Sequence, residues 1–128
     1  MDVLSSNSMH MLEKSMEFLW TKQAAVLDNI ANAETPNYKT KVVTFEDGLR
    51  AQLERAAKSH SPRQSVREVL AKSRFDVEEP GHIKRMDDNG VDVTEQSVEL
   101  VRNSYQLQYV MNSISSDFAA LRIAIRGQ

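Results

Sequence analysis

Residues 29–39 read NIANAETPNYK and close a long helical pattern in an unusual way. Asparagine has low helix propensity because its side chain competes for neighbouring backbone groups. Asn29 and Asn32 nevertheless stand one helical turn apart, so the pair needs a structural reason. Pro36 lacks an amide hydrogen and disfavours helical backbone in the residue before it. We therefore expect the helix to end around residues 33–34.

An apolar seam runs through the residues that precede this ending. Its positions alternate steps of three and four, and only one of them is polar: Met9, Leu12, Met16, Leu19, Gln23, Val26, Ile30 and Ala33. A stripe this narrow is typical of a coiled-coil contact rather than of the wider buried face of a globular helix. The pattern predicts a helix roughly 35 Å long, at ~1.5 Å per residue.

The C-terminal end carries a second seam with the same spacing. It comprises Val93, Ser97, Leu100, Ser104, Leu107, Met111, Ile114, Phe118, Leu121 and Ile125. Asn89-Gly90 is a turn signal, Asp92 can cap the helix, and Glu95 completes the pattern of a capping box. Gly127 is suited to the left-handed C-terminal cap. These signals predict a second long helix.

Together the two seams predict an all-α chain. The long N- and C-terminal helices pair as a coiled-coil-like hairpin, and the middle is irregular. We expect three segments: the N-terminal axial helix and its turn motif over residues 1–39, a variable, charged region over residues 40–90, and the C-terminal axial helix over residues 91–128.

Weaker signals occupy the middle segment. Residues 42–45 predict a short strand, and a single apolar face predicts a helix over residues 46–58. The stretch Ser59–Pro62 should break that helix. Apolar positions within residues 66–70 predict another turn or two, and loops follow at Glu79-Pro80-Gly81-His82 and in residues 87–90.

Composition excludes several classes of protein. The chain has 128 residues, 41% of them apolar and 6% aromatic, a net charge of −2 and no cysteine. It therefore has no disulfide and no thiolate site. No apolar run approaches the ~18 residues of a membrane span. The N-terminus lacks a basic region before its apolar residues, so we expect no cleaved signal peptide.

Catalytic and metal-binding patterns are also missing from the sequence. His10, His60 and His82 are far apart and lack ligand spacing. If Gly90 were the sixth position of a calcium loop, Arg85 would stand where the first carboxylate is needed. No nucleophile elbow or glycine-rich phosphate loop is present. We predict a protein that is not an enzyme and binds no metal or cofactor.

One alternative function rests on a basic stretch. Residues 46–74 carry seven Lys or Arg against four acids, and residues 50–74 could contact phosphates in a soluble helical adaptor that binds nucleic acid. The stretch lacks interleaved aromatic residues, and Glu54 and Glu68 interrupt it. A solvated linker is the favoured interpretation.

The opening motif also resembles that of a known family. Asn29-Ile30-Ala31-Asn32 followed by Thr35-Pro36, Tyr38 and Lys39 is similar to the motif of flagellar axial proteins, the rod and hook subunits. The segment Asn89–Val93 and the ending Leu121–Gly127 resemble those of proximal rod subunits. Asn37 stands where the family usually has glycine, and asparagine tolerates the same positive φ.

The resemblance implies a structural subunit that is exported without a cleaved signal and polymerises in the periplasmic rod of the basal body. Its expected partners are other rod proteins and the membrane-ring and export-gate side of the basal body, without nucleic acid and without a membrane span of its own. Before assembly we expect the terminal helices to fluctuate, because their seams lack partners.

Seam and motif together form the predicted subunit-assembly interface. It comprises Leu12, Met16, Leu19, Val26, Asn29, Ile30, Asn32, Thr35, Pro36, Tyr38, Leu100, Leu107, Met111, Ile114, Phe118, Leu121 and Ile125. The two asparagines have two interpretations at this point. Either their amides bond to neighbouring subunits and fix register, or they satisfy the terminal carbonyls of their own helix.

Overall fold

The computed structural model of the chain describes residues 6–44, 46–74, 76–78 and 91–127. Within these residues there are four helices and two short strands. Their order is α1 (Asn7–Ala31), β1 (Val42–Thr44), α2 (Glu46–Ala57), α3 (Pro62–Lys72), β2 (Asp76–Glu78) and α4 (Val93–Arg126).

Helix α1 begins and ends on polar side chains. The Ser6 hydroxyl accepts a hydrogen bond from the Met9 amide at 3.2 Å and caps the N-terminus. Asn32 is the C-terminal cap, so the helix ends two to three residues earlier than predicted. The Asn32 amide and side chain both donate to the Asp28 carbonyl, and the next amide, that of Ala33, bonds three residues back to Ile30 instead of four, so the α-helical pattern stops before Pro36.

The predicted caps of α4 are confirmed. The Asp92 carboxylate accepts hydrogen bonds from the Thr94 amide at 2.9 Å and the Glu95 amide at 3.3 Å. Gly127 closes the other end with φ +69°, and its amide donates to the Ile123 carbonyl. With 34 residues against 25, α4 is ~51 Å long and α1 ~37 Å.

Helices α1 and α4 pack against each other as an antiparallel hairpin, which confirms the predicted fold class. Lys22 forms an ion pair with Glu99 at 3.0 Å, and residues earlier in α1 contact residues later in α4. Leu19, Leu107 and Val110 form the buried core, with Leu12, Met16, Phe18 and Ile114 packed around it.

Six positions of the seam predicted for α4 are exposed: Val93, Ser97, Ser104, Met111, Phe118 and Ile125. At two of them the preceding residue is buried instead. Asn103 and Val110 are buried, whereas the predicted Ser104 and Met111 are exposed. The predicted steps and the observed face share Leu107 and Ile114. At both places the 3.6-residue period of a helix turns the preceding residue, rather than the predicted one, toward α1.

The middle segment holds more structure than predicted. Strand β1 is confirmed and pairs antiparallel with β2, whose three residues the sequence did not indicate. Helix α2 matches the predicted range. Helix α3 runs for 11 residues instead of a turn or two, because Pro62 suits the first helical position and Leu70 is buried.

The predicted loops at Glu79–His82 and Asp87–Gly90 lie outside the described residues, as does Phe45, the last residue of the predicted strand. No helix in the described ranges is long and apolar enough to cross a membrane.

Candidate functional site

Asn29 lies at the centre of a hydrogen-bond network inside the chain. It is fully buried, and its amide nitrogen donates to the Lys41 carbonyl at 2.8 Å and the Gln96 side chain at 2.9 Å. Its side-chain oxygen accepts from the Lys41 amide at 2.8 Å and the Tyr38 hydroxyl at 3.3 Å. Both hydrogens and both lone pairs of the amide are therefore used.

The network gives Asn29 a role that neither sequence interpretation described. The side chain ties α1 to the segment before β1 and to α4, within one chain. It does not satisfy the terminal carbonyls of its own helix, and in this conformation it has no exposed atom to offer a neighbouring subunit.

Asn32 does fit the local interpretation. Its side-chain nitrogen donates to the Asp28 carbonyl at 2.9 Å, and its oxygen accepts from the Thr35 hydroxyl at 3.2 Å. A turn follows, in which the Tyr38 amide donates to the Thr35 carbonyl at 3.3 Å. Proline at its second position and a φ of +59° at Asn37 match a type II turn. This turn brings the Tyr38 hydroxyl back to Asn29.

A second buried asparagine was missed by the sequence analysis. Asn103 is fully buried at the hairpin interface, and its side-chain nitrogen donates to the Leu19 carbonyl at 2.9 Å. Its side-chain oxygen has no hydrogen-bond partner among the described residues. Asn103 stands one position before Ser104, which the predicted seam included. The alternating steps of three and four placed Ser104, and not Asn103, on the buried face.

The predicted interface residues fall into three groups by exposure. Leu19, Val26, Asn29 and Leu107 are buried in the hairpin. Half-buried residues border them: Leu12, Met16, Ile30, Asn32, Tyr38, Leu100, Ile114 and Leu121. Met111, Phe118, Ile125, Thr35 and Pro36 are exposed, and Phe118 and Ile125 retain 49% and 78% of their accessible surface. The hairpin thus brings only part of the predicted interface together.

Two further exposed apolar stripes lie outside the predicted seams. Trp20 and Leu27 are 59% and 48% exposed on the outer side of α1. Four exposed residues follow one another at helical spacing on α4: Val98, Val101, Tyr105 and Tyr109. Their spacing of three or four residues was the available signal, but a pattern that assigns one apolar face to each helix overlooks a second one.

The C-terminal end of α4 extends past the beginning of α1. Asn29 meets Gln96 and Leu19 meets Asn103, so Asn7 stands level with about residue 117 in an antiparallel pair. The remaining turns, residues 118–126, project by ~13 Å at ~1.5 Å per residue. Phe118, Leu121 and Ile125 border a shallow apolar concavity there.

The basic stretch does not form one recognition surface. Its residues are divided between α2 and its end, α3, and the segment after α3: Arg50, Arg55, Lys58, Arg63, Arg67, Lys72 and Arg74. All are exposed, and Arg50 pairs with Glu54 at 3.4 Å. No observation favours nucleic-acid binding over a solvated surface. Across the described ranges, no cluster of three metal-ligating side chains occurs.

Comparisons with known proteins agree on one family. The chain is 27% identical over 125 residues to the flagellar basal body rod protein FlgB of Bacillus subtilis (strain 168), with 97% of each chain covered. It is 32% identical over 116 residues to FlgB of Aeromonas hydrophila, covering 84% of this chain and 85% of the relative. FlgB of Borrelia hermsii is 27% identical over 133 residues. No family model matches the chain.

Proposed function

Because the chain belongs to the FlgB family of flagellar basal-body rod proteins, we propose that it polymerises through its terminal helices and transmits torque along the rod. A structural subunit needs surfaces that bind copies or neighbours and a frame that keeps those surfaces in place. The torque passes through packed helices, and no residue carries out bond chemistry.

The observation that carries this proposal is the exposed apolar surface on the terminal helices. Met111, Phe118 and Ile125 continue the hairpin seam yet remain exposed in the single chain. Large exposed apolar residues in a contiguous row are typical of protein–protein contact surfaces. Contacts between two different surfaces of identical subunits generate a helical assembly when the rotation between subunits does not close into a ring.

The buried residues supply the frame. Leu19, Leu107 and Val110 hold α1 against α4, and the Asn29 network fixes the segment after α1 against α4. In the proposed subunit, residues 1–39 and 91–128 make the contacts of assembly. The intervening residues 40–90 form the variable segment.

The location and partners follow from the same proposal. We place the subunit in the periplasmic rod, exported without a cleaved signal and in contact with other rod proteins and with the membrane-ring and export-gate side. A chain without cysteine is suited to an oxidising compartment. These statements rest on family membership and on the character of the exposed surfaces.

Deletion of the gene provides the test. We expect the deletion strain to lack complete rods and motility, and a plasmid copy of the full chain to restore both. Electron microscopy of isolated basal bodies would score the rod directly. Complete, rotating flagella in the deletion strain would show that the chain is not a required rod subunit.

A further inference from the structure

The first observation is that the hairpin seam continues where α1 is absent. Phe118, Leu121 and Ile125 follow Leu107 and Ile114 on the same side of α4, with the same steps of three and four. Helix α1 begins at Asn7, level with about residue 117. The seam therefore runs on for more than two turns beyond its partner helix. A helix from outside this hairpin is suited to continue that contact.

The second observation is the charge of this projecting end. Arg122 and Arg126 are four residues apart and both exposed, and Ile123 beside them is exposed as well. Neither arginine forms an ion pair within the described part of the chain. Residues 118–126 contain no acid. A partner helix should therefore be apolar and acidic.

The third observation is that α1 carries such a surface on its outer side. Positions 13, 17, 20, 24, 27 and 31 are spaced as one helical stripe and read Glu, Glu, Trp, Ala, Leu, Ala. Trp20 and Leu27 are exposed, and no basic residue occupies the stripe. Glu13 and Glu17 are themselves exposed and pair with half-buried neighbours on their own helix, His10 at 3.5 Å and Lys14 at 2.9 Å, and solvent around the carboxylates weakens these pairs.

We propose that this outer stripe of α1 binds the projecting end of α4 from a second copy of the chain. Glu13 and Glu17 are four residues apart, as are Arg122 and Arg126, so two ion pairs can form side by side. Trp20 then lies against the apolar side chains of the projecting end. The inference rests on the proposed rod function and names the two surfaces that would join successive subunits.

The arrangement also fixes the direction of assembly. Each copy carries one projecting end and one outer stripe, at different places on the hairpin. The contact is head-to-tail and leaves a free surface of each kind at the ends, and a shift between copies along the hairpin axis keeps such a contact from closing into a ring. When the outer stripe of one copy lies beside the projecting end of the next, the two copies are offset along the hairpin axis by ~20 Å, at ~1.5 Å per residue.

Site-directed cross-linking tests the contact in the assembled rod. The chain has no cysteine of its own, so every dimer of it that a disulfide links must contain the introduced cysteines, and strains that carry either substitution alone must give no dimer. Two variants, Glu17→Cys and Arg122→Cys, would be expressed together in a deletion strain, and isolated basal bodies would be oxidised. We expect a dimer of the chain. Gln108→Cys, exposed on α4 about 21 Å from residue 122 at ~1.5 Å per residue, replaces Arg122→Cys in the control and should give none.

Charge exchange separates a lost contact from a lost fold. The variants E13R/E17R and R122E/R126E should each abolish rod formation, and the variant that carries all four changes should restore it. The pair R63E/R67E makes the same charge change on exposed positions of α3 and should leave rods intact.

The outcomes also separate this inference from the rod function itself. Rods that form without the cross-link, or that tolerate both charge reversals, would overturn the contact and leave the rod function standing. A deletion strain that the unaltered chain does not restore would instead overturn the function. If the variant with all four changes fails to restore rods, the cross-link between positions 17 and 122 gives the answer: a dimer supports the contact, and its absence overturns the contact.

Discussion

Asn29 shows how a single side chain can fix the relation between three parts of a chain. Its amide makes four hydrogen bonds in a site with no access to water, and the partners belong to α4, to Lys41 and to Tyr38. A buried polar group is favourable only when all its hydrogen-bonding capacity is used. The two asparagines of the opening motif therefore act differently, since Asn32 bonds only to its own helix end and turn.

We expect Asn29→Ala to lower the free energy of unfolding by about 2–4 kcal/mol, because several buried partners would each lose a bond worth ~1–3 kcal/mol. Asn32→Ala should change it by less than about 0.5 kcal/mol, since the Asp28 carbonyl keeps the Asn32 amide as a donor. Urea unfolding followed by circular dichroism measures both. Equal effects of the two substitutions would contradict the network.

Asn103 presents the opposite case among the buried asparagines. Its oxygen lacks a partner in the described residues, so the residue costs stability while its nitrogen fixes the register of α4 on Leu19. Asn103→Val should leave the free energy of unfolding unchanged or raise it by about 1 kcal/mol. The same change at Asn29 should lower it. A loss of more than about 2 kcal/mol at Asn103 would show that its oxygen is satisfied.

At the level of elements, the unequal lengths of α1 and α4 divide one apolar seam into two surfaces. Leu107 is buried against α1, whereas Phe118, three turns later on the same side, keeps about half of its surface, 49%. Burial inside the chain stabilises the hairpin, and in the proposed assembly the exposed, projecting part binds other chains. Substitutions at the two positions should therefore separate folding from assembly.

Substitution by aspartate at each position tests that separation. Leu107→Asp should lower the free energy of unfolding by about 3–5 kcal/mol, because it removes core packing and buries a charge. Phe118→Asp should change it by less than about 1 kcal/mol and still prevent rods from forming, while export continues. Thermal unfolding, secretion assays and electron microscopy of basal bodies give the three measurements. Restored motility with Phe118→Asp would remove this residue from the interface.

The sequence predicted these elements unequally, for physical reasons. Caps are local, so Asp92, Gly127 and the turn at Asn37 could be read directly. The hairpin followed from two long seams. Asn103 and Val110 were missed because the predicted seam repeats every 3.5 residues, whereas a helix turns every 3.6 residues. This small difference accumulates along α4, so the buried position can be the residue next to the predicted one. Strand β2 was missed because its pairing with β1 joins residues more than 30 positions apart.

The partners of Asn29 could not be predicted for the same reason. Gln96 lies 67 residues away along the chain, and the direction of an amide cannot be derived from sequence spacing. The exposed apolar stripes of α1 and α4 could not be predicted in the same way, because the periodicity was used to give each helix only one apolar face. Exposure of these residues became evident only once the hairpin fixed which faces were covered.

For the whole molecule, the uneven packing of the hairpin predicts uneven stability before assembly. The expectation that the terminal helices fluctuate in the isolated chain stays a prediction. We expect amide exchange in the monomer to be slowest near Leu19 and Asn29 and fastest over residues 118–126, where α1 gives no support. Assembly should slow exchange most in that projecting part. Strong, uniform protection of both terminal helices in a proven monomer would contradict this.

In the proposed rod, copies of this chain pack their terminal helices together. Electron cryomicroscopy of isolated basal bodies, at a resolution that shows side chains, would reveal that packing. We expect α1–α4 hairpins repeated around the rod, with Phe118, Leu121 and Ile125 buried between chains. A rod that lacks this chain, or whose copies touch only through residues 40–90, would contradict it.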